Sequence, residues 1–374
     1  MKRLYLSPPH VDERERDLLL EAFESNFIAP TGPHLSRFEE KFCELTGFSH
    51  ACAVVSGTAA IHLALRSVGV EAGDVVIGST LTFIGSVSPV VFLGAELVLI
   101  DSDPVSWNMD ASILAEAVRT LTHEGRKIAA ILPTDLYGQS CDLENILETA
   151  SDYAIAVITD SAEALGAEYG GRSVGRGATG AAFSFNGNKI LTTSGGGMFA
   201  SDDESLVQRA RYLATQAREP VPHFEHLEVG YNYRLSNLLA AVGIGQLEKL
   251  SGRVARKREI FDKYADLFRG IRGISMMPEP NYGTGNRWLT VVLVDEGEFG
   301  ATPEEIRLHL EASNIESRPL WKPMHLQTAF RGVRCFGGPI SEGLFKRGLC
   351  LPSGTQMNDQ DIERVVGLIL ECKN

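Results

Sequence analysis

The 374-residue chain has no apolar run approaching the ~18 consecutive residues that a membrane-crossing helix needs. The sequence therefore predicts no spanning segment. Paired cysteines are missing too. Cys43, Cys52, Cys141, Cys335, Cys350 and Cys372 are scattered, with no C-x-x-C and no histidine at zinc-like spacing, so the expectation is reduced, mostly buried thiols and no metal. A basic tract is lacking as well, and the net charge is −13. A nucleic acid would have to bind against the average field, which argues against that class of partner. The densest basic run, SGRVARKRE, reads as a solvated helix face. A small anion remains accessible, because a few local donors outweigh distant charge screened over ~10 Å. At the start, MKRLYLSPPHVDERERD places Pro8, Pro9 and charges where a secretory leader would carry an apolar core. The expectation is a cytoplasmic protein.

What the chain does have is enough length for a large core and two domains, with no repeat and no low-complexity segment. Between residue 50 and about 200, β-rich runs alternate with helical patterns: VVIG near 75, ELVLID, KIAAILP, AIAVITD and AAFSFN. Strands spaced by helices imply an α/β fold with a mainly parallel sheet covered on both faces. Ser56-Gly57-Thr58 follows ACAVV and precedes an amphipathic pattern, which predicts a helix starting near Thr58. Helices are also expected over 203–218, 235–250 and 253–268. Beyond about 250 come a strand over 289–295, a helix opened by Thr302-Pro303-Glu304-Glu305, and a last helix from Asp359. The expected division is a large domain over 1–250 and a smaller α+β domain over 251–374, with the first residues packing on the latter.

The chemistry concentrates in VITDSAEALGAEYGGRSVGRGATGAAFSFNGNKILTTSGGGMF, residues 157–199. Asp160 ends one apolar strand, and Lys189 lies in a small-residue loop after the next. Ligands of open α/β sheets gather at the carboxyl ends of strands, so the two side chains are expected in one crevice. An amine that condenses with a carbonyl, and a carboxylate that keeps a pyridine nitrogen protonated, are the pair that pyridoxal phosphate (PLP) requires. Ser56-Gly57-Thr58 at a helix start, together with the Ser184 hydroxyl, suits its phosphate.

Each of these residues also has a plainer reading. A lysine in a Gly/Asn loop is ordinarily solvated, and an aspartate at a strand end is often a helix cap. Gly175-Arg176-Gly177-Ala178-Thr179-Gly180 spells a dinucleotide fingerprint, but it follows a turn and leads into a strand, so it reads as a glycine-rich connection. His62, on the apolar side of its helix, reads as a core histidine.

Taken together, LSPPH, NFIAPTGPHLSRFEEKF, SGTAAIHLAL, DSAEALGA, SFNGNK, TTSGGGM and GYNYRLSNLLAA resemble the DegT/DnrJ-type sugar aminotransferases over nearly the whole length. The resemblance implies PLP fold type I, with a seven-stranded large sheet. It implies that Lys189 is the Schiff-base lysine and Asp160 the partner of the pyridine nitrogen. Gly57, Thr58 and Ser184 match phosphate contacts, and Phe83 matches the ring that stacks on the cofactor. Asn232 matches a residue that reaches the neighbouring subunit's phosphate, which implies a homodimer with shared sites. Glu163 departs from the glutamine of many members and is expected near the ring hydroxyl. Arg234, Arg318 and His325 are expected substrate contacts, and His223 and His226 are placed near the substrate without a catalytic role. The branch most resembled acts on UDP-4-keto-6-deoxy-N-acetylglucosamine with L-glutamate as donor. GDP-perosamine synthases are an alternative. A sugar dehydratase would carry histidine at 189, and a PLP-binding regulator would not need the intact Asp160 and Lys189 pair.

Overall fold

The computed structural model describes residues 3–373. The strand Val75–Ser79 shows how the sequence builds the sheet. It is buried throughout, and its alternate residues point to opposite faces. Val76 joins Ile61 and Leu65 on one side, while Val75 and Ile77 join Leu114 and Val118 on the other. Each such side chain contributes roughly 1.5–3 kcal/mol through burial.

Across the large sheet the order is His50–Val54, Gly197–Ser201, Gly180–Ser184, Ala156–Asp160, Ile128–Leu132, Val75–Ser79, Glu96–Ile100 and Arg334–Phe336. Gly197–Ser201 runs antiparallel to both neighbours, and every other pairing is parallel. The seven expected strands are joined by an eighth, Arg334–Phe336, which returns from the C-terminal third to extend the edge. Its alternation is too short to announce a strand in sequence.

A second, antiparallel sheet holds Ile274–Met276, Thr290–Val294, Gly348–Leu351 and Arg318–Pro319. The helices Leu250–Phe268, Pro303–Ala312 and Asp359–Glu371 contribute to its core. The N-terminal segment packs here: Leu4 is part of that core, and its N–H donates to Asn314 O at 3.1 Å while its carbonyl accepts from Glu316 N at 2.8 Å. No helix among the described residues is long and apolar enough to cross a membrane.

Two local readings resolve on the structure. The glycine-rich run at 175–180 is a connection: Gly175 and Gly177 take φ of +76° and +101° and lead into the strand Gly180–Ser184. Asp160 opens a turn rather than a helix, with Ala162 N donating to its Oδ1 at 3.1 Å.

Candidate active site

The helix Gly57–Ser67 begins where Ser56 Oγ accepts from Ala59 N at 3.0 Å and Ser56 O accepts from Ala60 N at 3.0 Å. The N–H groups of Gly57 and Thr58 have no acceptor inside the helix, as at any helix start. They stand on the wall of a cavity of about 320 Å³, within the ~300–1,000 Å³ usual for small-molecule sites. Glycines make this approach possible. A Cβ on Gly57 would lie 2.9 Å from Ser184 Cβ, and one on Gly197 would lie 2.4 Å from the Ser56 carbonyl carbon.

Lys189 hangs from a loop that closes on itself. Phe185 N donates to Gly196 O at 2.8 Å, Thr193 N to Phe185 O at 3.0 Å, and Lys189 N to Asn186 O at 3.0 Å. Ser194, at φ +73°, is held by its own N–H donating to Thr192 Oγ1 at 2.8 Å. The Lys189 side chain is 11% exposed, with Nζ 3.6 Å from Glu163 Oε1 and 4.2 Å from the Trp288 ring centroid. Trp288 is fixed in turn by its indole N–H, which donates to Asn188 O at 2.7 Å.

Glu163 is clamped from behind. Tyr137 N donates to Oε2 at 2.7 Å and the Trp321 indole to Oε1 at 3.2 Å. Burial raises the Glu163 carboxyl above its usual range, opposed by the Lys189 charge and these N–H donors. Asp160, on the same cavity, is also pushed up by burial, opposed by the Ala162 amide, the Ser86 hydroxyl and Lys189. No cation lies within salt-bridge distance of it among the described residues. A buried carboxylate with one backbone donor retains capacity for an N–H donor.

Of the residues singled out in sequence, Gly57, Thr58, Phe83, Asp160, Glu163, Ser184 and Lys189 line this one cavity. Phe83 is 51% exposed and packs 5.2 Å from Trp321 between ring centroids. Asn232 stands apart and exposed, its Oδ1 accepting from Gln216 Nε2 at 3.0 Å.

The three expected substrate residues stand outside the Lys189 cavity. Arg234 does not reach the cavity: its Nη1 donates to Glu39 Oε1 at 2.6 Å and Ala53 O at 2.9 Å in a buried pair. His325 is likewise committed, with Nδ1 bonded to Thr80 Oγ1 at 2.7 Å and Nε2 to Glu342 Oε1 at 3.2 Å. Arg318 lines an adjoining cavity and donates to Glu316. Trp288, Trp321, Tyr137, Ser86 and Asn188 were missed. Asn188 lies inside the SFNGNK motif, whereas none of the motifs above includes Trp288 or Trp321. No group of three or more His, Cys, Asp or Glu able to hold a metal occurs among the described residues.

Chemically, the cavity offers an amine at one end, a carboxylate that takes an N–H at another, an aromatic face, and paired amides and hydroxyls for an anion. A flat heteroaromatic carbonyl compound with an anionic tail matches all four.

A profile of the DegT/DnrJ/EryC1/StrS aminotransferase family matches residues 9–370. The chain is 46% identical over 373 residues to the provisionally named pyridoxal phosphate-dependent aminotransferase EpsN of Bacillus subtilis, covering 99% of this chain and 95% of that one. It is 35% identical over 372 residues to a GDP-perosamine synthase of Caulobacter vibrioides, covering 99% and 98%. The provisionally named sugar aminotransferase Spr1654 of Streptococcus pneumoniae, solved in PLP and PMP forms, superposes with a TM-score of 0.91 at 25% identity, over 99% of this chain and 98% of that one.

Proposed function

The chain belongs to the DegT/DnrJ/EryC1/StrS aminotransferase family, and we propose that it moves the amino group of L-glutamate onto the 4-keto carbon of UDP-4-keto-6-deoxy-N-acetylglucosamine. That it is a PLP-dependent sugar aminotransferase follows from the family. The donor, the nucleotide, the sugar and the roles of individual residues are the proposed part. So are a homodimer, with Asn232 serving the neighbouring site, and action in the cytoplasm.

The residues fit the cofactor. Asp160 would hold the ring nitrogen's proton, using carboxylate capacity that no cation within salt-bridge distance takes up among the described residues. The Gly57 and Thr58 amides and the Thr58 and Ser184 hydroxyls would hold the phosphate, aided by the positive end of the helix dipole. Phe83 would cover one face of the ring. When bound, PLP supplies a carbonyl for amine exchange and a ring that accepts an electron pair.

The observation that carries the reading is the placement of Lys189 Nζ, 3.6 Å from Glu163 Oε1 and against the Trp288 ring, on the same cavity as Asp160. Glu163 holds the ammonium while Lys189 is protonated. As a free amine, Lys189 would carry a proton at Nζ to or from the reacting carbon. Trp288 and Trp321 shield the amine from water. Tyr137 N–H and the Trp321 indole keep Glu163 aimed at Nζ.

The UDP-linked N-acetyl sugar is supported by the series of motifs from SFNGNK to GYNYRLSN. The similarity to GDP-perosamine synthases supports the second reading, a GDP-linked keto sugar. Lysine at 189 speaks against a dehydratase. The test is mass spectrometry of the product formed with L-glutamate from UDP-linked and GDP-linked 4-keto-6-deoxy sugars. A product one amino group richer from the UDP sugar is expected. Amination of the GDP sugar alone would transfer the conclusion to the second reading.

A further inference from the structure

Beside the Lys189 cavity lies a larger one of about 740 Å³. Asn188 and Trp321 line both. Its wall is predominantly apolar, with Tyr137, Leu289, Leu320 and Cys350 buried in it. Two cations reach it, Arg318 and Lys322. The Arg318 side chain is 67% exposed and already bonded to Glu316, which leaves one lysine, too little to seat a diphosphate. Asn188 differs from the rest of the wall: its Oδ1 accepts from Asn186 Nδ2 at 3.2 Å, and among the described residues its Nδ2 donates to none. The lobe therefore presents an apolar surface and one amide donor, a short distance from the reacting amine.

We propose that this lobe receives the C2 acylamino group of the sugar substrate, with the acyl carbonyl accepting from Asn188 Nδ2 and the methyl lying against Leu320 and Cys350. The inference rests on the amino-sugar reading above and deepens it, because it makes the C2 substituent the feature that selects the substrate. A sugar with a hydroxyl at C2 leaves the apolar wall wet and the amide without its acceptor. Discrimination of about tenfold or more follows, the usual worth of a small apolar group in a fitted pocket.

The test uses two stable probes that differ only at C2, UDP-N-acetylglucosamine and UDP-glucose, titrated calorimetrically into the PLP-loaded protein. The acetamido probe is expected to bind about tenfold more tightly. Asn188→Ala, which removes an exposed side chain, should bring the ratio to within about threefold, chiefly by weakening the acetamido probe. Cys350→Met, which narrows the lobe, should weaken only the acetamido probe. Equal affinities in the unsubstituted protein, no binding of either probe, or a ratio that survives Asn188→Ala would overturn the proposal. The absorbance change of the cofactor-loaded enzyme on adding L-glutamate alone does not involve the lobe. Its absence would instead sink the glutamate-donor reading, so the two failures are told apart.

Discussion

Two clusters of buried charge lie on the same large sheet, and they are built differently. Around Glu39 the carboxylate is fully engaged by protein donors. Its carboxylate accepts from Arg234 at 2.6 Å, Arg211 at 2.9 Å and Ala53 N at 2.7 Å, and the two guanidinium groups go on to the Ala53 and Ala51 carbonyls. Around Lys189 the contacts are looser: 3.6 Å to Glu163, an aromatic face, and an Asp160 carboxylate with a single backbone donor at 3.1 Å. Burial disfavours charge in both places. In the first cluster protein groups offset the cost, and the result is structure. In the second part of the cost is left standing, and such a deficit is what a ligand with matching groups can relieve.

The contrast breaks most sharply on Lys189→Ala. Turnover should fall roughly 10⁴-fold, because one side chain supplies both the amine and the proton carrier. The visible absorbance of the lysine-bound cofactor should vanish, while the urea midpoint of the cofactor-free protein stays close to the original. Activity near the original level would remove Lys189 from the mechanism. Glu39→Ala should show the reverse. It leaves the buried Arg234 guanidinium, and the half-buried Arg211 beside it, without their carboxylate, at a cost of about 3 kcal/mol in stability. Turnover per folded molecule should hold, and a fall in the specific rate of the folded fraction would show that Arg234 serves the reaction after all.

Arg234 also marks where sequence reading runs out. A guanidinium beside a site motif is equally fit for a substrate anion or for a buried carboxylate, and Glu39 lies on the helix Pro33–Thr46, whose register cannot be aligned with residue 234 without the fold. His325 has the same history, since Thr80 and Glu342 come from distant segments. Asp160 and Lys189 were legible because each terminates or follows an apolar strand, and strand order alone brings adjacent strand ends together. The sheet was legible for the same reason, through continuous β-rich runs. The three-residue strand Arg334–Phe336 carries too little pattern to be seen, and Trp288 meets Lys189 only through tertiary packing between segments about a hundred residues apart.

Asp160→Asn sharpens the comparison by separating function from stability. The rate should drop about 10²–10³-fold, the usual loss when one buried electrostatic partner of the reacting centre is removed. The cofactor-free protein should gain about 1 kcal/mol at neutral pH. The sign follows from the raised carboxyl. As pH climbs through the ordinary aspartate range, the unfolded chain releases its proton before the folded one does, so folding loses stability until the raised value is passed. Asparagine has no such loss, and its advantage should disappear as pH is lowered through the carboxylate range. Urea titrations of both proteins across that range check it. A stability difference independent of pH would mean that the Asp160 carboxylate is not strained by burial.

The smallest expected effect lies where the two kinds of cluster meet. Ser56 is a cap, like the groups around Glu39, yet it lines the cavity, like Lys189. Its Oγ accepts the Ala59 N–H at 3.0 Å and keeps its own O–H to donate, but the cap alone is the role expected of it, with the Gly57 and Thr58 amides serving the cofactor phosphate. Ser56→Ala should therefore cost about 1 kcal/mol, the usual worth of an N-cap, and the loss should be the same with and without PLP. Denaturant midpoints of both forms decide the matter. A larger loss in the loaded protein would show that the Ser56 O–H donates to the phosphate while its oxygen keeps the cap, and would place Ser56 with the groups that a ligand completes.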